Sequence, residues 1–292
     1  MVFGHGFQSW HKDLRGDEKG NPMIRIVKQN RITGDLRTAT YFEHWKANDR
    51  MAARYRRTLN AMFDEQKKII IGRLPLLKGV KFLAVGDEIL EKTIGDVLRN
   101  FKPEQTRVFV GVEKPFLLQT LKQTARQIFA LTGDDIDVFD LQKRRITNYL
   151  ERQSLTASKS VTDTTVDDVR RQLSEGVKNN ESIPEIQNRI EKYFDESAKF
   201  RAEAIARTEI GNAAGFGQQE AYMQSEVVEK KEWVATLDDR VRDDHADADG
   251  QIVSKNQPFD VGGDDMMFPR DGSRGASVDQ IVNCRCTTVP VL

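Results

Sequence analysis

The sequence predicts an α+β fold: an extended, mainly helical N-terminal body followed by a small α+β C-terminal domain. Three observations lead there. Apolar residues recur at helical spacing from about residue 35 to about residue 225. After Ser225 the period changes, and VVEKKEWVATLDD reads as a strand. Beyond Trp233 the chain gathers both of its cysteines, one of its four histidines and its densest acidic run. The expected organisation is an arm over residues 1–34, a helical body with a long basic helix over 35–160, and a domain over 161–292 that passes from helices to a small α+β head.

Taken in order, residues 1–34 are rich in Gly, Asp and Asn, and MIRIVKQNRI supplies either a short strand or an arm that orders against a partner. A long helix is expected from near Asp35 to Gly72, because Leu36, Tyr41, Phe42, Trp45, Ala52, Tyr55, Leu59, Met62 and Phe63 fall largely on one face. Pro75 and Gly79 break it. A further helix is expected over Glu88–Phe101, and another opens near Pro115, a first-turn residue, and stops at Gly133. The acidic GDDIDVFD then reads as a solvated loop. Asp140 to about Ser154 makes the next helix, and the polar seam SLTASKSVTDTT marks a helix–loop boundary or hinge. Asp163 or Thr164 caps a helix to Gly176. Ser182 and Glu185 have the spacing of a capping box ahead of Ile183, Ile186, Ile190 and Phe194. The last large helix runs from Ser197 to about Ser225, its Ala-rich half suited to close packing and its glycines at 211, 215 and 217 weakening it. Beyond the strand, Asp238 or Asp239 caps a short helix through His245, which Gly250 ends. GQIV and the residues before Cys284 are expected to be extended, and 258–277 to be an ordered irregular loop or a surface excursion.

Composition narrows the function. Forty-five bases balance forty-five acids, so no overall field draws the chain to nucleic acid. The charge is nevertheless polarised: Tyr41–Lys81 carries ten bases against four acids, and Asp238–Asp271 ten acids against four bases. No stretch reaches the roughly 18–20 apolar residues of a membrane helix. The first residues lack a secretory leader, and two cysteines in a C-x-C suit a reducing compartment. In an extended C-x-C the two Cα atoms stand about 6.6 Å apart on the same side, near the upper limit for a mutual disulfide.

His245, Cys284 and Cys286 are the strongest candidate constellation. Two thiolates and an imidazole make three corners of a tetrahedral zinc site, with Asp239, Asp243 or Asp247 as a fourth ligand. Buried structural thiols beside a hydrogen-bonding histidine, or a catalytic thiol, fit the same residues. The aspartates at 238, 239, 243, 244, 247 and 249 invite a magnesium-dependent nuclease, but aspartates on one short helix diverge around it. Asp244 is expected to face solvent, and Arg240, Arg242 or Arg285 to pair with neighbouring acids. Arg50, Arg54 and Arg57 form a basic stripe fit for DNA phosphates or an acidic protein surface. Arg207 and Glu209 are expected to tether the last long helix to the small domain.

The series IARTEIGNAAGFGQQEAY, KKEWVATLDDRVRDDHADADGQIV, QPFDVGGDDMMFPRDG and IVNCRC resembles the phage head morphogenesis domain of Mu F-like minor head proteins, over roughly Val161–Leu292. The residues that carry the resemblance are Arg207, Thr208, Glu209, Trp233, Asp238, Arg242, His245, Gly250, Pro258, Phe259, Pro269, Asn283, Cys284, Arg285 and Cys286. It implies a structural, non-enzymatic minor head protein of a tailed phage or prophage. Such a protein is made in the bacterial host cytoplasm and acts in head assembly near the portal, with a role in genome packaging or ejection. Its implied partners are portal and capsid or connector proteins, with DNA contact as a further role; no small-molecule substrate is expected. No cofactor is required, a structural zinc being the one addition the residues invite. Some members fuse the domain to a toxin, for which the residues after NCRC leave no room. The competing reading is a metal-dependent nuclease or other hydrolase acting during infection.

Overall fold

The computed structural model describes residues 34–78, 82–236 and 238–292. The expected arm lies outside these residues. Among the described residues the protein is mainly helical, with a few small antiparallel strands at the C-terminal end, so the α+β expectation holds. Five long helices come first: α1 (Gly34–Arg73), α2 (Phe82–Val97), α3 (Phe101–Thr132), α4 (Arg144–Lys178) and α5 (Ile183–Gln224). They are followed by β1 (Lys230–Val234), α6 (Asp243–Asp247), β2 (Ile252–Ser254), β3 (Phe259–Val261), β4 (Asp264–Met266), α7 (Val278–Ile281) and β5 (Thr287–Val291). The chain divides into two compact units, a helical unit of Asn48–Thr120 with Leu141–Ile210, and a sheet unit of Leu121–Asp140, Gly211–Leu292 and the described residues up to Ala47.

In the helical unit, Tyr55, Leu59, Ile70, Ile94, Phe101, Phe109, Val169, Leu173, Ile190 and Ala206 are fully buried in one continuous apolar core. That burial, at about 25 cal/mol per Å² of apolar area, is what holds the unit together. Several expected boundaries differ. The second helix begins earlier and ends at Val97; Asn100, at φ 59°, starts the turn into α3. Pro115 lies inside α3 rather than at its start. Proline removes one backbone hydrogen bond, but fully buried Phe109 and Leu117 on either side hold the helix across it.

The polar seam is not a hinge. Residues 154–165 lie within the 35-residue α4, where Ser154, Ser158, Thr162 and Thr165 are buried. Three of the hydroxyls are satisfied by their own helix: Ser154 Oγ donates to Leu150 O (2.7 Å), Ser158 Oγ to Ser154 O and Thr165 Oγ1 to Val161 O (2.9 Å). Small side chains that bond backward in this way present an apolar surface to their neighbours. The expected helix start at Asp163 is therefore absent. The capping box is present: the Ser182 backbone N–H donates to Glu185 Oε2 at 2.6 Å, and the Glu185 N–H to Ser182 Oγ at 3.4 Å. It opens a single 42-residue helix, so the separate helix expected from Ser197 is part of α5.

In the sheet unit β1 is the central strand, antiparallel to both β2 and β5, with Trp233 opposite Thr288 and Glu232 opposite both Ile252 and Val289. β3 and β4 form a separate hairpin around Gly262 and Gly263, inside the stretch expected to be irregular throughout. The residues before Cys284 are not extended; they form the short helix α7. The α5 glycines permit close approach instead of weakening the helix. A Cβ on Gly215 would stand 2.6 Å from the Phe268 ring and one on Gly217 3.2 Å from the Leu121 backbone. Gln218 on the same helix donates to Thr288 O (2.9 Å) and accepts from Thr287 Oγ1 (3.0 Å), fastening α5 to β5.

Candidate functional site

Trp233 on β1 is fully buried and organises the site. Its ring meets His245 edge-on at 5.7 Å and Phe259 of β3 at 5.3 Å. Gly250, at φ 78°, turns the chain so that its N–H donates to Trp233 O (2.9 Å). Pro258 is half-buried ahead of β3 and Pro269 is buried beyond β4.

His245 sits on α6, which begins after Arg242 and not after Asp238 or Asp239. Arg242 donates to Val282 O at 2.6 Å. Asp238 instead takes a two-pronged salt bridge from Arg285, whose guanidinium holds that carboxyl well below the usual carboxylate range. The alternation of an extended segment explains the arrangement: Arg285 faces outward to Asp238 while Cys284 and Cys286, one residue to either side, face inward and are buried. Asn283 at φ 56° turns the chain into this segment, a conformation asparagine tolerates well.

The inward side holds the constellation. His245 Nδ1 lies 3.3 Å from Cys286 Sγ and 3.5 Å from Cys284 Sγ, and all three groups are buried. His245 Nε2 lies 2.8 Å from Gln280 Oε1, and Gln280 Nε2 donates to Asp244 Oδ2 at 2.6 Å. Behind the cysteines, Arg270 is buried at φ 75° and spends its guanidinium on carbonyls: Cys284 O (2.7 Å), Gly211 O (3.1 Å) and Cys286 O (3.4 Å). Burial pushes the Cys284 thiol up. The Cys286 S–H, the Arg270 charge and His245 outweigh it and bring Cys284 well below the usual thiol range. Cys286 is raised, first by giving its hydrogen bond to Cys284 and then by burial.

Other expected site residues stand elsewhere. None of Asp239, Asp243 and Asp247 joins the three-residue cluster, and Asp239 is 93% exposed. Asp244 does not merely face solvent, because it anchors Gln280. The acids serve separate partners, Asp249 accepting from the Ala235 N–H at 2.8 Å. Arg207, Thr208 and Glu209 belong to the helical unit, where Arg207 pairs with Glu203 (2.8 Å) and Glu209 accepts from Gln153 (2.7 Å). Arg50, Arg54 and Arg57 are exposed along α1, Arg54 lying 5.9 Å over the Phe116 ring. Sequence reasoning missed Gln280, Arg270 and the fully buried Lys231, whose ammonium meets Gln219 Oε1 at 2.8 Å and Met267 O at 2.6 Å. Only Arg270 carried a signal, lying beside Pro269 in the PRDG run.

Among the described residues, no helix is long and apolar enough to cross a membrane. A curated relative, the NAD(+)–arginine ADP-ribosyltransferase EFV of Enterococcus faecalis, is 32% identical over 134 residues, 42% of this chain and 27% of that protein. The chain thus spans about a quarter of that relative's length. No solved structure matches. The family model described as phage Mu protein F like protein matches residues 167–289, which include every residue placed around Trp233, His245 and the C-x-C. Residues 167–289, somewhat less than half of the chain, are therefore similar to the phage Mu protein F like family.

Proposed function

We propose that the protein is a structural minor head protein of a tailed phage or prophage, acting in head assembly near the portal. The observation that carries the reading is the Mu F-like domain over residues 167–289. The residues of its motif support it by what they do. Arg242, Gly250, Asp238 with Arg285, and Trp233 cross-link backbone segments and fill the core, which suits a scaffold more than a turnover site. The acidic run supports a nuclease poorly, since its carboxylates bind separate partners. The exposed stripe of Arg50, Arg54 and Arg57 is the expected surface toward a portal, capsid or connector protein, or toward packaged DNA.

The stretch shared with the ADP-ribosyltransferase is about as long as the Mu F-like domain, and we read it as that domain and not as the transferase. Incubation with labelled NAD⁺ and a head-protein mixture should transfer no label. Crosslinking mass spectrometry of purified particles should join residues 48–60 or the 167–289 domain to portal or adjacent capsid protein. A protein missing from both mature particles and assembly intermediates would overturn the proposal.

A further inference from the structure

We propose that His245, Cys284 and Cys286 form a zinc-binding site, with Gln280 and Asp244 as its orienting shell. The inference is independent of the head-assembly reading, which stands whether or not metal is bound.

The first support is distance. Zinc takes histidine nitrogen at about 2.05 Å and thiolate sulfur at about 2.3 Å, so at a tetrahedral angle the nitrogen and each sulfur stand about 3.6 Å apart. The two separations here are 3.3 and 3.5 Å. The second support is the tautomer. Asp244 only accepts, so the amide nitrogen of Gln280 must face it and the amide oxygen must face His245 Nε2. In the neutral imidazole, the form that ligates a metal, that oxygen takes the Nε2 proton and leaves the Nδ1 lone pair directed at both sulfurs. One lone pair can accept one S–H, whereas a cation between the three atoms engages a lone pair from each at once. A ligating histidine whose other nitrogen donates to a fixed acceptor is the usual second-shell arrangement of a metal site.

The third support is charge. A buried guanidinium at Arg270, held by the carbonyls of Cys284, Cys286 and Gly211, places a fixed positive charge behind the two sulfurs and favours their anionic form. Soft sulfur with one imidazole selects zinc over magnesium or calcium, which prefer oxygen. Among the described residues the buried cluster supplies three donors, the protein donor number of three-ligand zinc sites. Binding would lock α6 to the segment before β5.

The test uses the full chain, made without a histidine tag and loaded with one equivalent of zinc or cobalt(II) before desalting. Elemental analysis should find close to one zinc per chain. Cobalt should give a thiolate-to-metal charge-transfer band that Cys284→Ser and Cys286→Ser each abolish. Because those variants can also unfold the domain, Gln280→Ala provides the second reading. It keeps all three donors and should weaken zinc affinity by about 10–100-fold in competition with a chelating indicator. A folded protein that emerges metal-free from loading overturns the proposal. So does a mutual Cys284–Cys286 disulfide in protein kept under reducing conditions, or Gln280→Ala binding zinc as tightly as the parent.

Discussion

The two units solve the same problem by different means. The helical unit rests on a broad apolar core and holds polar groups inside it with little to match them: the Glu113 carboxyl and the Tyr55 hydroxyl are buried with no partner beyond each other. The sheet unit has shorter elements and a smaller cluster around Trp233 and Phe259, and several of its buried polar side chains are tied to partners across its loops. Lys231, Gln218, Asn212, His245 and Arg270 all bond within it; the Trp233 indole N–H is an exception. Where apolar area is plentiful, an unmatched carboxyl is tolerated. Where the backbone is irregular, polar cross-links determine which loop lies against which.

The sharpest way to break this contrast is Trp233→Ala. It removes the largest fully buried side chain of the sheet unit and should cost about 3–5 kcal/mol. Protease mapping under mild denaturant should show cleavage rising beyond residue 211 while residues 141–210 keep their protection. Equal loss in both would contradict the separation.

The next test is pH, because the units should respond with opposite sign. Burial lifts Glu209 to about 7 and Glu113 well above the ordinary range. Both hold a proton more tightly folded than unfolded, so their contribution is complete below about pH 4.5 and is lost as pH rises, through about 7 for Glu209. In the sheet unit burial lowers Lys231 to about 7 and, with the Arg270 charge, lowers His44 to about 3. Those groups release protons on folding, so that unit gains stability from pH 3 to 6.5 and again from 7 to 10.5. Protease mapping at pH 5 and pH 9 should rank the units in opposite order. Glu113→Gln should stabilise the helical unit at pH 8 by on the order of 1–3 kcal/mol and change it much less at pH 4.

Gly215→Ala should destabilise by about 1–3 kcal/mol, since the added carbon meets the Phe268 ring and the Pro269 carbonyl. The same change at Gly95, which faces open space, should be neutral or stabilising by thermal melting. Smallest is Ser182→Ala, which removes one side of the capping box and should cost about 1 kcal/mol.

The helical body was legible because its apolar period persists over five long helices, and the Ser182–Glu185 box and the Gly133 stop were readable as local chemistry. What misled was composition. Serine and threonine in α4 look like a linker until their hydroxyls are seen to bond backward, and Pro115 looks like a start until packing on both flanks is known. The site was legible as residue types, His245 with Cys284 and Cys286. Its supports were not, because Gln280 and Arg270 reach it from segments 35 and 14 residues away in sequence, with no periodic pattern to mark them.

The order β2-β1-β5 also constrains how the sheet is made. β1 finds β2 about twenty residues on, but its other edge waits for β5, with Lys230 opposite Val291. During synthesis the central strand stays half-paired until almost the whole domain has emerged, late closure being the cost of a contact so distant along the chain. A nascent or truncated chain stopping before Thr287 would present the bare edge of β1, with Trp233 and Val234, as a template for another copy. Premature termination should therefore yield aggregates, not merely inactive protein.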